Sequence, residues 1–441
     1  MNKIQRWWSD LNSSLWFVPT VMVATAMLLA YLLVNFDNTH ENAWMKEHPL
    51  LFGSGASGAR GMLSSIASSM ITVAGLIFSL TLSTLAQVSS QYTSRLLRNF
   101  MRDRTNQVVM GFFVGIFVYC LIVLRTIRGT DEGNFVPSTA ISFALILALV
   151  SIGMLIAFIH HIASSIQAAN VVGNAADETQ KILDKLFPKQ IGHAATHHEK
   201  ADLEATTRLN WHPVAALTSG YVQDIDDGDL LELAQDGNLV VRMELGIGSF
   251  AAEGAPLVSV ASYDTQQPWL PNSSLVKRID NAYGIGRQRT IDQDFGFGLR
   301  QIVDIALKAL SPGINDTSTG VMCLDRLGAL LALLTERDLG EPLRADNGRV
   351  RLMARRPDFA GYLNEAFDQI RASSLENLAI YLRIYNALRT IADRTLRPGY
   401  REALLHQSHL TWEAATKNLT SDYELKQVRE RYEELQRALH A

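Results

Sequence analysis

The stretch GMLSSIASSMITVAGLIFSLTLSTLAQV, residues 61–88, contains no charged side chain and decides the fold class of this protein. A helix needs roughly 20 mostly apolar residues to cross the hydrocarbon core of a bilayer. Residues 15–36, 108–127 and 139–162 form three further runs of sufficient length, and these are more hydrophobic. Because the bilayer core tolerates no unpaired backbone polar group, each run is predicted to be a helix. The sequence therefore predicts a membrane protein, mainly α-helical, with an N-terminal bundle of four transmembrane helices.

Charge is distributed unevenly along the chain. Its 441 residues are 48% hydrophobic and 19% charged, with a net charge of -4, and the shortage of charge lies almost entirely before Gln167. We therefore predict a transmembrane domain at 1–166, a linking helix at 167–200, a small β module at 201–286 and a helical cytoplasmic domain at 287–441. The two cysteines, Cys120 and Cys323, are too few for a disulfide framework or a cysteine-based metal site.

Basic residues between the second and third runs set the predicted orientation. Arg95, Arg98, Arg102 and Arg104 cluster there, and cytoplasmic loops carry the excess of Lys and Arg. With four spans, both termini and everything after residue 162 then lie in the cytoplasm. The first run is too long for a cleaved signal peptide, so we expect it to remain in the bilayer.

The second run differs from the others because small and hydroxylated residues occupy one helical face. Steps of three or four residues align Ser65, Ser68, Thr72, Ser79 and Ser83. Such residues allow close approach between helices, so a tightly packed interface within the bundle is the simpler interpretation. The functional alternative is a polar path lined by this face from several subunits.

The same helix is predicted to continue past the membrane into a cytoplasmic mouth formed by Gln87, Gln91, Arg95 and Arg98. Topology alone accounts for a basic turn there, and the alternative is that the arginines attract anions or select lipid headgroups. No Asp, Glu or Lys lies in the middle of a run, which argues against a proton relay. His160 and His161 are adjacent and point in different directions on a helix, which favours interfacial packing over a shared metal ion.

Short apolar segments separated by turn residues fill residues 207–260 and predict strands. The segments GYV at 220–222, GSF at 248–250 and PLV at 256–258 are similar to the barrel-sandwich hybrid fold of biotinyl and lipoyl carriers. We therefore expect a small β barrel or sandwich. A carrier needs an exposed lysine as its attachment point, and the absence of Lys between Lys200 and Lys277 excludes that function.

A dense polar set surrounds the next predicted helix, which ends at Ser311-Pro312-Gly313. The set comprises Asp292, Asp294, Arg300, Asp304, Asn315 and Asp316. Such a set could hold a cation or a phosphate. Asp and Asn routinely cap helices and form turns, so a capped, salt-bridged helix–turn–helix corner is favoured. Beyond it, residues 359–393 and 400–439 are predicted to be helical.

The sequence contains no nucleophile elbow, paired metal-ligand motif or dinucleotide-binding loop. The triplet at 294–296 does not indicate a kinase, because neither a glycine-rich phosphate loop nor a catalytic His-Arg-Asp accompanies it. We therefore expect no enzyme activity, no metal, no cofactor and no nucleic-acid partner.

Three separated motifs occur in order along the chain. They are QVSSQYTSRLLR at 87–98, HHIA at 160–163, and DFGFGLRQ at 294–301 with ALSPGIND at 309–316. Together they resemble an uncharacterised family of predicted bacterial membrane proteins, catalogued as domain of unknown function 2254. The resemblance covers nearly the whole chain and implies an inner-membrane protein of Gram-negative type, without an established activity. Where the family pattern has Pro before the Arg of the first motif, this chain has Ser94.

Three functional hypotheses follow from these patterns. The polar face, its basic mouth and the large cytoplasmic region favour a homo-oligomeric, channel-like protein with a cytoplasmic regulatory region. The second hypothesis is a non-conducting scaffold or sensor that binds a cytoplasmic protein partner. The third is an enzyme that uses the polar set at 292–316. The lipid bilayer is the partner in all three.

Overall fold

The computed structural model describes residues 14, 16–39, 55–91, 103–129, 135–187, 206, 209–264, 269–339, 343–346, 348–395 and 397–440. Within these ranges the chain is mostly helical and contains a sheet region. It divides into two compact units, one ending at Asn170 and the other beginning at Val171.

Four long helices form the N-terminal unit: α1 (Phe17–Thr39), α2 (Ala56–Gln91), α3 (Arg104–Thr126) and α4 (Ser138–Ser165). Each is long enough and apolar enough to cross a membrane. They coincide with the four predicted runs, although α2 extends beyond its predicted range at both ends. The hydrophobic runs therefore located these helices correctly.

Helix α3 contacts each of the other three helices of this unit, and half of its apolar stretch is buried. Gly111 faces α1, because a Cβ added there would lie 2.8 Å from the Met22 sulfur and 2.9 Å from Pro19 Cα. One turn later, a Cβ at Gly115 would lie 3.5 Å from Ala26 Cβ. Glycine pairs with this spacing allow close helix approach in membranes. The contact between α1 and α3 therefore depends on Gly111.

The outer surface of the N-terminal unit is apolar. Helices α1 and α4 expose large hydrophobic side chains, among them Leu28, Leu32, Leu149, Ile152 and Ile156. Contiguous apolar surface of this kind is rare on proteins that face water, but hydrocarbon solvates it without penalty. This surface, together with the length of the helices, supports a membrane protein.

The second unit begins on α5 (Ala168–Leu186) and continues into the sheet region. The first half of that region comprises β1 (His212–Ala215), β2 (Gly220–Ile225), α6 (Asp227–Asp236), β3 (Leu239–Met243), β4 (Phe250–Ala251), β5 (Pro256–Ser262), α7 (Ser273–Ala282) and β6 (Tyr283–Gly286). The remainder comprises α8 (Phe295–Ala309), α9 (Thr317–Thr335), β7 (Leu343–Asp346), β8 (Arg349–Met353), α10 (Phe359–Ala372), α11 (Leu378–Ala392), α12 (Pro398–Asn418) and α13 (Asp422–His440).

The strands form two sheets in the described residues. The larger has the order β1-β5-β3-β8-β7, and the smaller has the order β4-β2-β6. Only the β3–β8 pair of these neighbours is parallel, and it places Val241 opposite Leu352, while Val241 also faces Val260 on β5. The predicted barrel or sandwich is not confirmed, because the larger sheet ends on β1 and β7. Two of its strands, β7 and β8, come from the region predicted to be helical. They form a hairpin, and β8 joins the sheet by pairing with β3, which is far away in sequence.

Helix α9 is a fifth helix whose length and composition would allow it to cross a membrane. In the second unit it packs against α8 and α11. A Cβ added at Gly328 would lie 2.9 Å from Ala387 Cβ, and one at Gly320 would lie 3.2 Å from the Ile380 side chain. More than half of the apolar stretch of α9 is buried by the protein itself.

Helix α5 attaches to α8 through a glycine. A Cβ added at Gly298 would lie 2.5 Å from Thr179 Oγ1, so the two helices touch at this point. The Thr179 hydroxyl donates a hydrogen bond to the Ala175 carbonyl at 2.6 Å, which keeps it within its own helix. An ion pair between Asp184 on α5 and Arg337, which follows α9, attaches α5 to a second part of the unit. The rest of the predicted linking helix, 188–200, lies outside the described residues.

Candidate functional site

The five aligned residues of the second helix, Ser65, Ser68, Thr72, Ser79 and Ser83, are called the hydroxyl face below. All five are exposed in the structure. The opposite side of α2 is buried against its neighbours through Leu63, Ala67, Met70, Ala74 and Ile77. The hydroxyl face is therefore left uncovered by the part of the chain that the structure describes.

Hydrogen bonds within α2 explain how part of this face tolerates an apolar environment. The Thr72 hydroxyl donates to the Ser68 carbonyl at 2.8 Å, and the Ser69 hydroxyl donates to the Ser65 carbonyl at the same distance. Serine and threonine often bond the carbonyl one turn earlier in this way. The side-chain hydroxyls of Ser79 and Ser83 make no hydrogen bond within the described ranges, so they remain able to bond a neighbouring helix or water.

Two glycines, Gly61 and Gly75, also lie on the exposed side of α2. A Cβ added at Gly61 or Gly75 would meet no atom within 4 Å. These positions differ from Gly111, where the close approach of α1 fills the space. Among the described residues of the N-terminal unit, Gly111 on α3 is therefore at a close helix contact, whereas Gly61 and Gly75 on α2 are not.

The predicted cytoplasmic mouth is only partly described. Gln87 is exposed on α2, and Gln91 is the last residue of that helix. Arg95, Arg98 and Arg102 lie outside the described residues. Arg104 opens α3 and is exposed.

The histidine pair makes one specific contact that the sequence analysis missed. His161 Nε2 lies 2.6 Å from Asp103 Oδ2, while Asp103 Oδ1 accepts a hydrogen bond from the Thr105 backbone N–H at 2.9 Å and so caps α3. His160 is exposed. In the described residues no three His, Cys, Asp or Glu side chains come together as a metal-binding group. The His161–Asp103 contact therefore joins the end of α4 to the start of α3.

The polar set at 292–316 is spread along α8. Asp294 caps the start of the helix by accepting from the Phe297 N–H at 2.8 Å, and it pairs with Arg289 at 2.7 Å. Asp316 caps α9 by accepting from the Thr319 N–H at 3.0 Å. Helix α8 has 15 residues, so at a rise of about 1.5 Å per residue its two ends are roughly 22 Å apart. The structure therefore does not bring Asp294 and Asp316 into one site.

The other members of the set have local roles. Arg300 pairs with Asp304 at 2.9 Å on α8 and reaches Glu365 on α10 at 3.6 Å. Asn315 adopts a left-handed conformation with φ of 51°, which Asn tolerates better than most residues and which suits the turn before α9. Asp292 lies in the turn before α8. These contacts are those of the capped, salt-bridged corner that the sequence favoured.

The Gly111–Gly115 pair is a second feature that the sequence analysis passed over. Its signal is present in the sequence, since two glycines four residues apart inside an apolar run are a recognised pattern for close helix packing.

Comparison with known proteins supports the membrane assignment. The profile of the family described as "Predicted membrane protein (DUF2254)" matches residues 12–390. The chain belongs to this family. Relatives include uncharacterised proteins of Mycobacterium bovis and Mycobacterium tuberculosis, each 32% identical over 418 residues, covering 93% of this chain and 78% of the relative. No solved structure matches the chain. The chain is thus a predicted multi-pass membrane protein of a family without an assigned activity.

Proposed function

We propose that copies of this chain associate through the hydroxyl face of α2 and that this face lines a pore for passive permeation. The observation that carries the proposal is that all five residues of the face are exposed, while the opposite side of the same helix is packed. The proposal needs no catalytic step and no cofactor.

A contrast between helices supports the choice of α2. Exposed positions of α1 and α4 carry large apolar side chains such as Leu28 and Ile156, which suit contact with lipid tails. The exposed side of α2 also carries large apolar side chains such as Leu76 and Phe78, but it interleaves them with the small polar residues of the hydroxyl face, which offer lipid little contact area. Helices associate in membranes through small residues and hydrogen bonds between hydroxyl groups. A second copy of α2 is therefore a better neighbour for this face than lipid.

The free hydroxyl groups of Ser79 and Ser83 support a water-accessible path. Polar side chains that line a pore replace part of the hydration shell of a permeating species. The described α2 carries no charged residue after Arg60, so a path along this face would present hydroxyl groups and no fixed charge. Such a path selects weakly and moves solutes only down their gradient.

The proposal includes the topology of the chain. Helices α1 to α4 are the spans, both termini are cytoplasmic, the membrane is the inner one, and α9 belongs to the core of the cytoplasmic region. Asp325 lies in the middle of α9 and pairs with Arg383 at 3.0 Å. A charged residue in the middle of a span is costly, whereas a pair at the edge of a water-facing unit is common. The tight contacts at Gly320 and Gly328 also support a core helix.

Reporter fusions test the topology. A phosphatase and a fluorescent protein, each fused after residue 39, 165 or 335, report opposite sides of the inner membrane. We expect the fusions after 165 and 335 to be cytoplasmic and the fusion after 39 to be external. If the fusions after 165 and 335 lie on opposite sides, α9 spans the membrane and the proposed topology is wrong.

Cross-linking tests the association. Both native cysteines, Cys120 and Cys323, are buried, so the wild-type background suits a new exposed thiol. We expect Ser79→Cys to form a disulfide-linked dimer in membranes under mild oxidation. Ile156→Cys on α4 is the matched control, since that side chain is also exposed, and it should stay monomeric. Equal cross-linking of both variants would reflect random collision and would contradict the interface.

Planar bilayer recording then separates a pore from the alternative, a non-conducting scaffold or sensor. We expect unitary currents from purified wild-type protein, a large reduction for Ser79→Trp and little change for the lipid-facing control Ile156→Trp. Cross-linking at Ser79 without any current under voltage or membrane tension would favour the scaffold. One stoichiometric cytoplasmic partner in a pull-down would strengthen that alternative.

A further inference from the structure

A cavity of about 330 Å³ lies in the second unit, where the start of α8 and the start of α10 meet the ends of β2 and β3. Phe187, Met243 and Ile247 form part of its apolar lining. Small-molecule sites are mostly apolar clefts of roughly 300–1,000 Å³ with a few polar groups. This cavity is at the lower end of that range.

Three aromatic rings make one wall of the cavity rigid. The ring centres of Phe295 and Tyr362 are 5.2 Å apart, and Phe187 contacts both at 6.2 and 6.4 Å with edge-to-face geometry. Such arrangements are favoured by the charge distribution of the rings. Because Phe295 and Tyr362 are buried on regular helices, the wall is formed before any ligand binds.

Positive groups converge on the same cavity. Arg289, Arg355 and Arg356 line it, and so do Gly296 and Gly361 in the first turns of α8 and α10. The N-terminal end of a helix carries a partial positive charge and favours anions. Both helices are long enough for this effect, with 15 and 14 residues.

The carboxylates around the cavity already have cationic partners. Asp294 pairs with Arg289, Asp227 pairs with Arg356, and Glu365 is approached by Arg300, which does not line the cavity. Among the described residues, Arg355 makes no ion pair with a carboxylate, and its Nη1 donates instead to the Glu244 backbone carbonyl at 2.6 Å. The lining holds three arginines and three carboxylates, and Arg355 is the arginine of the three that is available to an anion from outside.

Tyr362 provides the second indication of a ligand. Only 6% of this residue is exposed, and its hydroxyl makes no hydrogen bond within the described ranges. The Tyr362 oxygen is not fully enclosed by protein, so a ligand in the cavity can reach it. Burial and the negative charge of Asp294 raise the pKa of Tyr362, while Arg356 opposes the shift, so the hydroxyl stays protonated at neutral pH and can donate a hydrogen bond.

We propose that this cavity binds a small amphipathic anion, with its phosphate or carboxylate held by Arg355 and the Tyr362 hydroxyl and its apolar body against Phe187, Met243 and Ile247. Bidentate recognition of such oxyanions is a property of the planar guanidinium group. The site is independent of the proposed pore, and a failure of either proposal leaves the other intact.

Calorimetric titration of the full chain in nanodiscs of neutral lipid tests the site with three probes. Phenyl phosphate carries both an anion and an apolar body, inorganic phosphate carries only the anion, and phenol carries only the body. We expect phenyl phosphate to bind at least about tenfold more tightly than either of the others, since tenfold corresponds to about 1.4 kcal/mol. The weakest affinity that we expect for phenyl phosphate is roughly millimolar. If none of the three probes binds at 10 mM, the proposal is overturned.

Variants localise the binding. Arg355→Gln removes a charge, and Tyr362→Phe removes only the hydroxyl while keeping the three-ring wall. Each should weaken phenyl phosphate binding by about tenfold. Arg344→Gln on β7 is the charge-matched control, because Arg344 does not line the cavity, and it should bind as the wild type does. Unchanged affinity in both cavity variants, or an equal loss in the control, overturns the assignment.

A change of lipid identifies the source of the anion. The same titration is repeated in nanodiscs that contain phosphatidic acid, whose headgroup is also a phosphate monoester. Competition that lowers the apparent affinity for phenyl phosphate supports the site and assigns its ligand to lipid headgroups. Unchanged affinity supports the site and assigns its ligand to soluble molecules. Inorganic phosphate binding as tightly as phenyl phosphate overturns the amphipathic part of the proposal.

Discussion

The two units bury helices in different ways. In the N-terminal unit the outside is apolar, with Leu149 and Ile156 exposed on α4, whereas the second unit buries comparable side chains such as Leu327 and Leu331 on α9. Both units nevertheless use a glycine where two helices touch, Gly111 in the first and Gly298 in the second. The surrounding medium, lipid or water, therefore decides which side chains face outward. In either medium, close contact between two helix backbones requires glycine, which has no side chain.

We expect the largest loss of stability from a substitution that disrupts the contact at Gly298 in the second unit. A Cβ at Gly298 would lie 2.5 Å from Thr179 Oγ1, so Gly298→Val should cost about 3 kcal/mol of unfolding free energy by overpacking. Urea unfolding of the full chain in detergent, followed by circular dichroism, measures the loss. Gly296→Ala is the control, because its added Cβ would meet ordinary contacts of 3.4 Å or longer. Equal losses in the two variants would refute the contact.

The same test in the N-terminal unit should give a smaller effect. A Cβ at Gly111 would lie 2.9 Å from Pro19 Cα, so Gly111→Ala should cost about 2 kcal/mol because backbone must move. Gly115→Ala, with a nearest contact of 3.5 Å, should be close to neutral. Unfolding in mixed micelles of increasing sodium dodecyl sulfate compares the two. If Gly111→Ala is as stable as the wild type, then α1 and α3 do not approach as closely as described.

A helix cap in the second unit should respond to pH. Hydrogen bonds from the Thr319 hydroxyl and backbone lower the pKa of Asp316, so its contribution to stability is complete above the unfolded pKa and is lost as pH falls through the folded value. At pH 7, Asp316→Ala should cost about 1 kcal/mol. The difference from the wild type should shrink below about pH 3.9, the ordinary pKa of Asp. A difference that stays constant down to pH 2.5 would contradict the cap as its source.

The smallest effect is expected at the His161–Asp103 contact. Both side chains are partly exposed, at 34% and 21%, so solvent screens their interaction. His161→Ala should therefore cost about 0.5 kcal/mol, within the range of exposed ion pairs. His160→Ala is the matched control and should have no measurable effect, because that side chain is exposed. A double-mutant cycle with Asp103→Asn isolates the pair, and zero coupling would show that the contact contributes nothing.

Local patterns predicted most of the elements. The apolar runs located α1 to α4, and the caps at Asp294 and Asp316 marked the starts of α8 and α9. These predictions were possible because the length of an apolar run and the identity of a capping residue depend only on neighbouring residues in the sequence. The barrel or sandwich prediction is not confirmed. The parallel β3–β8 pair joins segments that are far apart in sequence, and local alternation of apolar residues does not predict such a partner.

The candidate sites also combine features that local sequence patterns predict with features that depend on tertiary packing. The sequence predicted that the residues of the hydroxyl face lie on one side of α2, because helical periodicity determines which residues share a side. It did not show that this face is exposed, since exposure depends on where α3 packs. The cavity at Tyr362 was not predicted, because its lining comes from five separate segments of the chain.

The apolar runs of the sequence are sufficient to predict a membrane protein with four long apolar helices, since the cost of unpaired backbone groups in hydrocarbon acts on each segment alone. The sequence also predicted capping at the helix corner of residues 292–316. The packing of the folded chain establishes which side of α2 is packed, which glycines touch a neighbour and which arginines meet around one cavity. Those outcomes depend on the packing of side chains that are distant in sequence, where a difference of one ångström decides between contact and exclusion.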